Sequence, residues 1–190
     1  MKLKKPNFWD YEKPNLIAYL LLPFTFFLIL SNYILNFRSK KKFKDIKTIC
    51  VGNIYIGGTG KTPTVIKLFQ ILKKLNLNVF TAKKFYSSHI DEKIILSNKT
   101  DLITGKTRRD IIEKNLNLKK ILIFDDGLQD KDNDYDLKFV CFDMHNWIGN
   151  GLLIPSGPLR ENLNSLKKYD VVLLKNFNSS MSGIIDQIKN

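Results

Sequence analysis

The chain changes its hydrophobic rhythm at Ile46. Before it, Leu16–Leu35 is a continuous run dominated by Leu, Ile, Phe and Tyr without a single charge. After it, short apolar runs alternate with segments of helical spacing. Ile46–Val51, Asn78–Ala82, Lys120–Phe124, Leu137–Phe142 and Asp170–Leu174 read as strands, being short, apolar and bounded by polar residues. Thr62–Leu75 reads as a helix with Val65, Leu68, Phe69 and Leu72 on one face, Arg108–Asn115 as a second, and Gly183–Asn190 as the start of a last one. Strand and helix in alternation predict an α/β fold, a mostly parallel sheet flanked by helices on both faces. Residues 1–45 form a separate N-terminal segment, and 46–190 the catalytic-type domain.

The Leu16–Leu35 run admits three structures. About 20 apolar residues just span a bilayer. Thr25, Ser31 and Asn32 interrupt the run, however, and Pro23 bends a helix. A helix lying in the membrane interface and an ordinary buried helix therefore stand beside a single span. No small-residue cleavage site follows, which argues against a removed signal peptide. Charge changes this picture. The formal charge is +13, and residues 1–45 carry nine basic residues against three acidic ones, flanking the apolar run. Arg38 and Lys40–Lys42 suit lipid phosphates, and Phe8, Trp9, Tyr11 and Tyr19 suit the headgroup zone. An anionic membrane lipid is the expected partner. No nucleic-acid motif accompanies the charge, so nucleic-acid binding is not expected. Cys50 and Cys141 sit inside predicted strands and read as buried free thiols.

Between the first predicted strand and the first helix lies Val51-Gly-Asn-Ile-Tyr-Ile-Gly-Gly-Thr-Gly-Lys-Thr62. That is the context a phosphate-binding P-loop requires. Gly57, Gly58, Thr59 and Gly60 let the backbone turn its N–H groups around a phosphate, and the following helix adds its positive end. Lys61 reaches the terminal phosphates, and the Thr62 hydroxyl is a ligand for Mg²⁺. The ligand expected from the loop is a nucleoside triphosphate with Mg²⁺, and the fold class narrows to P-loop NTPase-like. Tyr55 stands where the strict pattern has its first glycine. A second carboxylate is supplied by Ile121-Leu-Ile-Phe-Asp-Asp126, where Asp125 and Asp126 leave an apolar strand together. Asn98-Lys-Thr-Asp101 spells a guanine-reading motif, but it precedes the metal-type strand and reads as coincidence.

These motifs together resemble one family, the tetraacyldisaccharide 4'-kinases, which phosphorylate a lipid A precursor. The resemblance rests on Phe8-Trp9 before an apolar helix, the Val51–Pro63 loop, Asp125-Asp-Gly-Leu-Gln129, and Gly149-Asn-Gly-Leu-Leu-Ile-Pro-Ser-Gly-Pro-Leu-Arg-Glu161. It implies a monotopic or singly anchored enzyme at the cytoplasmic face of the bacterial inner membrane. That enzyme transfers the γ-phosphate of ATP to the 4'-hydroxyl of a tetraacylated disaccharide 1-phosphate. By the same resemblance Lys61 and Thr62 match phosphate and Mg²⁺ ligands, Asp125 and Asp126 the metal-site pair, and Gln129 and Glu161 residues beside it. Asp91, in His89-Ile-Asp-Glu92, matches the base that activates the sugar hydroxyl. Arg108 matches an arginine that stabilises charge on the transferred group, with Arg160 a further candidate.

The pattern departs from the family in several places. Ser-Arg-Gly-Tyr-Gly is replaced by Ala82-Lys-Lys-Phe-Tyr-Ser87, and the hairpin that follows it is nearly absent. Asp130 replaces a histidine after Gln129, and neither His89 nor His145 matches the histidine of the family's C-terminal domain. The expectation is a chain that lacks that domain. It is then a split or truncated gene product, a compact active variant, or a nucleotide-binding remnant, and a separate polypeptide is a candidate source of the missing half.

Overall fold

The computed structural model describes residues 5–35, 40–85, 90–116, 120–178 and 182–189. Its centre is a six-stranded sheet: β1 (Lys47–Gly52), β2 (Val79–Lys84), β3 (Leu102–Gly105), β4 (Ile121–Asp125), β5 (Leu137–Asp143) and β6 (Val171–Lys175). The strands lie in the order β3-β2-β4-β1-β5-β6. Every pairing is parallel. All six strands therefore end at one edge of the sheet, where ligands of open α/β folds collect.

Period-two alternation sends each strand's side chains to opposite faces. One face gathers Ile49, Val51, Val79, Ile123 and Cys141 under α3 (Lys61–Lys74), which contributes Val65, Ile66 and Phe69. Leu96 of α4 (Ile90–Lys99) completes it. The opposite face gathers Cys50, Ala82, Leu122, Phe124, Val140 and Phe142 under Ile111 and Ile112 of α5 (Arg108–Glu113). A capping box, with Thr107 and Asp110 exchanging hydrogen bonds, starts α5. The short α6 (Ser182–Lys189) is the last element. Both cysteines are buried and free.

The expected strands and helices are all present, shifted by one or two residues at their ends. α4 and β3 are additions, and Asp91 therefore stands on a helix rather than in a loop. The Asn98–Asp101 segment ends α4 and leads into β3, at the edge of the sheet opposite the P-loop. Its Asp101 pairs with Lys73, and Thr100 bonds Thr81. That placement agrees with its reading as coincidence.

The apolar run forms α1 (Leu16–Leu20) and α2 (Leu22–Leu35), broken at Leu21. Asn15 caps α1 by accepting from the Ala18 N–H. Pro23 falls in the first turn of α2, where its missing N–H costs no helical bond. At 14 residues α2 is about 21 Å long, short of the roughly 30 Å hydrocarbon layer. No helix among the described residues is long and apolar enough to cross a membrane, so the single-span reading has no helix here to carry it.

The helix pair meets the body at few points. Ala18 and Thr25 are buried, whereas Phe26 and Phe27 are each 69% exposed. Thr25, which the sequence presents as an interruption, shares a 2.7 Å hydroxyl–hydroxyl bond with Ser156. Trp9 is buried and donates its indole N–H to the Pro155 carbonyl. The Gly149–Glu161 segment is thus the seat of the N-terminal region. Gly149 has φ +57°, and a Cβ there would lie 2.1 Å from the Trp9 carbonyl oxygen. Gly149→Ala is expected to cost about 2 kcal/mol or more and to loosen residues 5–10. Limited proteolysis and the thermal midpoint check it, and an unchanged midpoint contradicts it.

The basic stretch after α2 is only partly available to lipid. Arg38 lies outside the described residues. Lys41 pairs with Glu113 and exchanges backbone bonds with Asp132 and Asp134. Lys42 lies 3.9 Å from Asp136. Lys41 and Lys42 thus have acidic partners on the body while their side chains stay more than half exposed.

Candidate active site

The site forms where β1 and β4 end side by side. β1 runs into the glycine loop, and α3 begins at Lys61 with Gly60 at its N-cap. Gly60 has φ +86°, a conformation L side chains rarely adopt, so this turn calls for glycine. The register Val51↔Asp125 brings the end of the metal-type strand against the loop. As a result Thr62 Oγ1 donates to Asp125 Oδ2 at 3.1 Å, although 63 residues separate them.

Asp125 is buried, and its Oδ1 has no hydrogen-bond partner among the described residues. A buried carboxylate oxygen without a partner is costly in a protein with no further ligand. A hydroxyl and a free carboxylate oxygen beside a phosphate loop fit Mg²⁺, which takes one or two carboxylates and completes its shell with phosphates and water. Among the described residues no group of three or more His, Cys, Asp or Glu stands ready as a self-sufficient metal cage, in keeping with that pattern. The Thr59 hydroxyl is also buried without a hydrogen-bond partner among the described residues.

The neighbouring strand adds a residue that sequence reasoning missed. The register Ala82↔Phe124 sets Lys83 beside Asp125. The Lys83 ammonium lies 2.6 Å from Asp125 Oδ2 and 2.6 Å from Glu92 Oε2 of α4. Its side chain is 7% exposed. Burial alone would depress its pKa, but the charges and hydrogen bonds of Asp125 and Glu92 outweigh burial and raise it above the ordinary lysine value. The sequence offers only a pair of lysines at the end of an apolar strand, which does not single out Lys83. Asp91, next to Glu92, lies exposed in the first turn of α4.

The other expected residues form a second cluster. Asp126 has φ +66°, and its N–H bonds the Val51 carbonyl. Its own carbonyl accepts from Arg108 Nε at 2.9 Å and Nη2 at 2.6 Å. Arg108 thus grips the strand exit through the backbone. Arg160 Nη1 lies 3.5 Å from Asp126 Oδ1 and donates to Gln129 Oε1 at 3.2 Å. Gln129 Nε2 in turn donates to the Asn53 carbonyl of the loop and to Glu161 Oε1. Tyr169 donates to the same Glu161 oxygen. Thr62 and Asp125 therefore meet directly, while Asp126, Gln129 and Glu161 are joined through Arg160 and through one another.

Tyr55, the residue in place of the usual glycine, is buried and donates to Asp10. Lys5 donates to the Tyr55 hydroxyl at 2.9 Å. The loop is thus tied to the N-terminal segment at Tyr55, and to the Gly149–Glu161 segment through the Ile56 N–H on Pro158 and the Arg160 N–H on Ile54. His145 is exposed, its backbone N–H on Asp143, and His89 lies outside the described residues.

Comparison with known proteins bears on this arrangement. The family model described as tetraacyldisaccharide-1-P 4'-kinase matches residues 17–100 and 80–189. A tetraacyldisaccharide 4'-kinase of Pelagibacter ubique is 50% identical over the whole of this chain and 60% of its own length. One from Rickettsia bellii is 34% identical over 94% of this chain and 61% of its own. The chain thus spans about three fifths of the relatives it matches. Among solved structures, a crystal structure of LpxK from Aquifex aeolicus in complex with ATP superposes with a TM-score of 0.70 at 22% identity. It covers 85% of this chain and 59% of that one, and supports the fold.

Proposed function

The chain belongs to the tetraacyldisaccharide-1-P 4'-kinase family, and from that membership we propose that it moves the γ-phosphate of ATP to the 4'-hydroxyl of a tetraacyldisaccharide 1-phosphate. The observation that carries the reading is the contact of Thr62 with Asp125 at the mouth of the Gly57–Gly60 loop, with Asp125 Oδ1 lacking a hydrogen-bond partner among the described residues. Thr62 and Asp125 would hold Mg²⁺, which would supply charge neutralisation on the phosphates. Lys61 and the loop N–H groups orient the β- and γ-phosphates, so that positioning and electrostatics do most of the work. Arg108 and the Arg160–Gln129–Glu161 network keep Asp126 and the loop in place. Asp91 is the base that takes the proton of the sugar hydroxyl as the phosphoryl group arrives.

An acceptor that stays in a bilayer calls for an enzyme at its surface. The exposed Leu16, Leu20, Phe24, Phe26 and Phe27 on α1 and α2 suit an interfacial helix pair at an anionic membrane. Replacing Phe26 and Phe27 together by glutamate is expected to weaken binding to phosphatidylglycerol-containing vesicles by about tenfold or more. Vesicle sedimentation checks this, and unchanged binding overturns the assignment of α1–α2 to the membrane.

Expression of the chain in cells depleted of their own 4'-kinase tests the activity. Appearance of 4'-phosphorylated lipid, lost with Asp91→Asn, is the expected result. A second reading is nucleotide binding without turnover, which needs only the loop and the Thr62–Asp125 contact. That reading predicts ATP binding that depends on Lys61 and no phosphorylated lipid in any background. Transfer that needs added proteins of the source cell points instead to a separate polypeptide completing the site.

A further inference from the structure

Lys83 has no part in the roles above, yet it is the most enclosed cation of the site. It is the penultimate residue of β2, and two ion pairs of 2.6 Å join it to different elements. One holds Asp125, the strand-end carboxylate that also accepts from Thr62. The other holds Glu92 in the first turn of α4. Leu96 is its one buried residue among the described side chains, while Ile90, Ile94 and Ile95 are about half exposed. The first turn of α4, which also carries Asp91, is thus joined at Glu92 to a lysine anchored on the metal-site aspartate.

We propose that Lys83 is a positioning residue that bridges Asp125 and Glu92, holding the first turn of α4, and Asp91 with it, beside the phosphate loop. The bridge has a consequence for ligand binding. Lys83 and Thr62 both address Asp125 Oδ2, leaving Oδ1 for a metal. A divalent cation arriving at Asp125 faces an ammonium on the same carboxylate, and the repulsion loosens the Lys83–Asp125 contact. Magnesium nucleotide is thereby linked to the order of α4. The choice of Asp91 as the base rests on the kinase reading, whereas the bridge and its linkage to α4 do not.

Amide hydrogen exchange on the full chain tests this without requiring turnover. Glu92→Gln leaves the buried Lys83–Asp125 pair intact and releases α4. Amides of residues 93–97 are expected to exchange about tenfold faster in it, with those of α3 and β4 unchanged. Lys83→Arg, which keeps both ion pairs, should retain protection. Adding Mg²⁺ with a non-hydrolysable ATP analogue should change exchange of the same α4 amides in wild type, and much less in Glu92→Gln. Unchanged α4 exchange in Glu92→Gln, with α3 and β4 intact, overturns the bridge. An α4 response to magnesium nucleotide that is the same in both proteins overturns the linkage. A normal exchange pattern beside a failed lipid assay leaves the bridge standing and removes the kinase reading.

Discussion

Lys61→Ala is expected to lower affinity for a magnesium ATP analogue by about 100-fold, the scale of a lost charge-assisted contact to phosphate. Lys61 opens α3 just after the left-handed Gly60. The folded state should be unaffected, because Lys61 forms no part of either hydrophobic cluster. Isothermal titration in the presence of Mg²⁺ reads the affinity, and circular dichroism reads the fold. Equal affinity in the two proteins would place the nucleotide elsewhere.

Asp125→Ala acts on both ligand and stability. It removes the carboxylate available to the metal, so Mg²⁺ should no longer improve nucleotide binding. It also leaves the Lys83 ammonium, 7% exposed, with only the surface-reaching Glu92 for a partner. Removing one member of a buried ion pair costs about 3–5 kcal/mol, because the other charge stays in a poorly solvated place. The double variant Asp125→Ala with Lys83→Met removes both charges and should recover most of that loss. Urea midpoints measured on both variants decide this. If the double variant is no more stable than the single one, the remaining pair with Glu92 compensates the Lys83 charge in Asp125→Ala.

The parts legible in the sequence were those with a local signature. Five of the six strands announce themselves as apolar runs, and the phosphate loop as glycines between a strand and a helix. β3 was not legible, because Leu-Ile-Thr-Gly is short and its side chains are only partly buried at the sheet edge. α4 was missed for a similar reason, since exposed isoleucines blur its helical period. Lys83 could not be found from spacing at all. Its partners lie 9 and 42 residues away, and parallel pairing of β2 with β4 is what joins them.

Two departures from local pattern serve the same kind of contact. Thr25 looked like a break in an apolar helix, but it is the hydroxyl that seats α2 on Ser156. Tyr55 looked like a departure from the loop pattern, but it ties the loop to Asp10 and Lys5. In both cases the residue serves a contact between the N-terminal segment and the body, more than 40 positions away in the chain. The distinctive Gly149–Glu161 segment joins the two functions. Its first half receives Trp9 and Thr25, and its end delivers Arg160 and Glu161 to the site.

The central claim is transfer of phosphate from ATP to a membrane lipid at this site. The direct measurement is incubation of the purified chain with γ-labelled ATP, Mg²⁺ and tetraacyldisaccharide 1-phosphate in mixed micelles, with and without extract from the source cell. Wild type should place label at the 4'-position, and Lys61→Ala and Asp91→Asn should not. No label on the lipid under either condition, from a protein that binds ATP, would contradict the account.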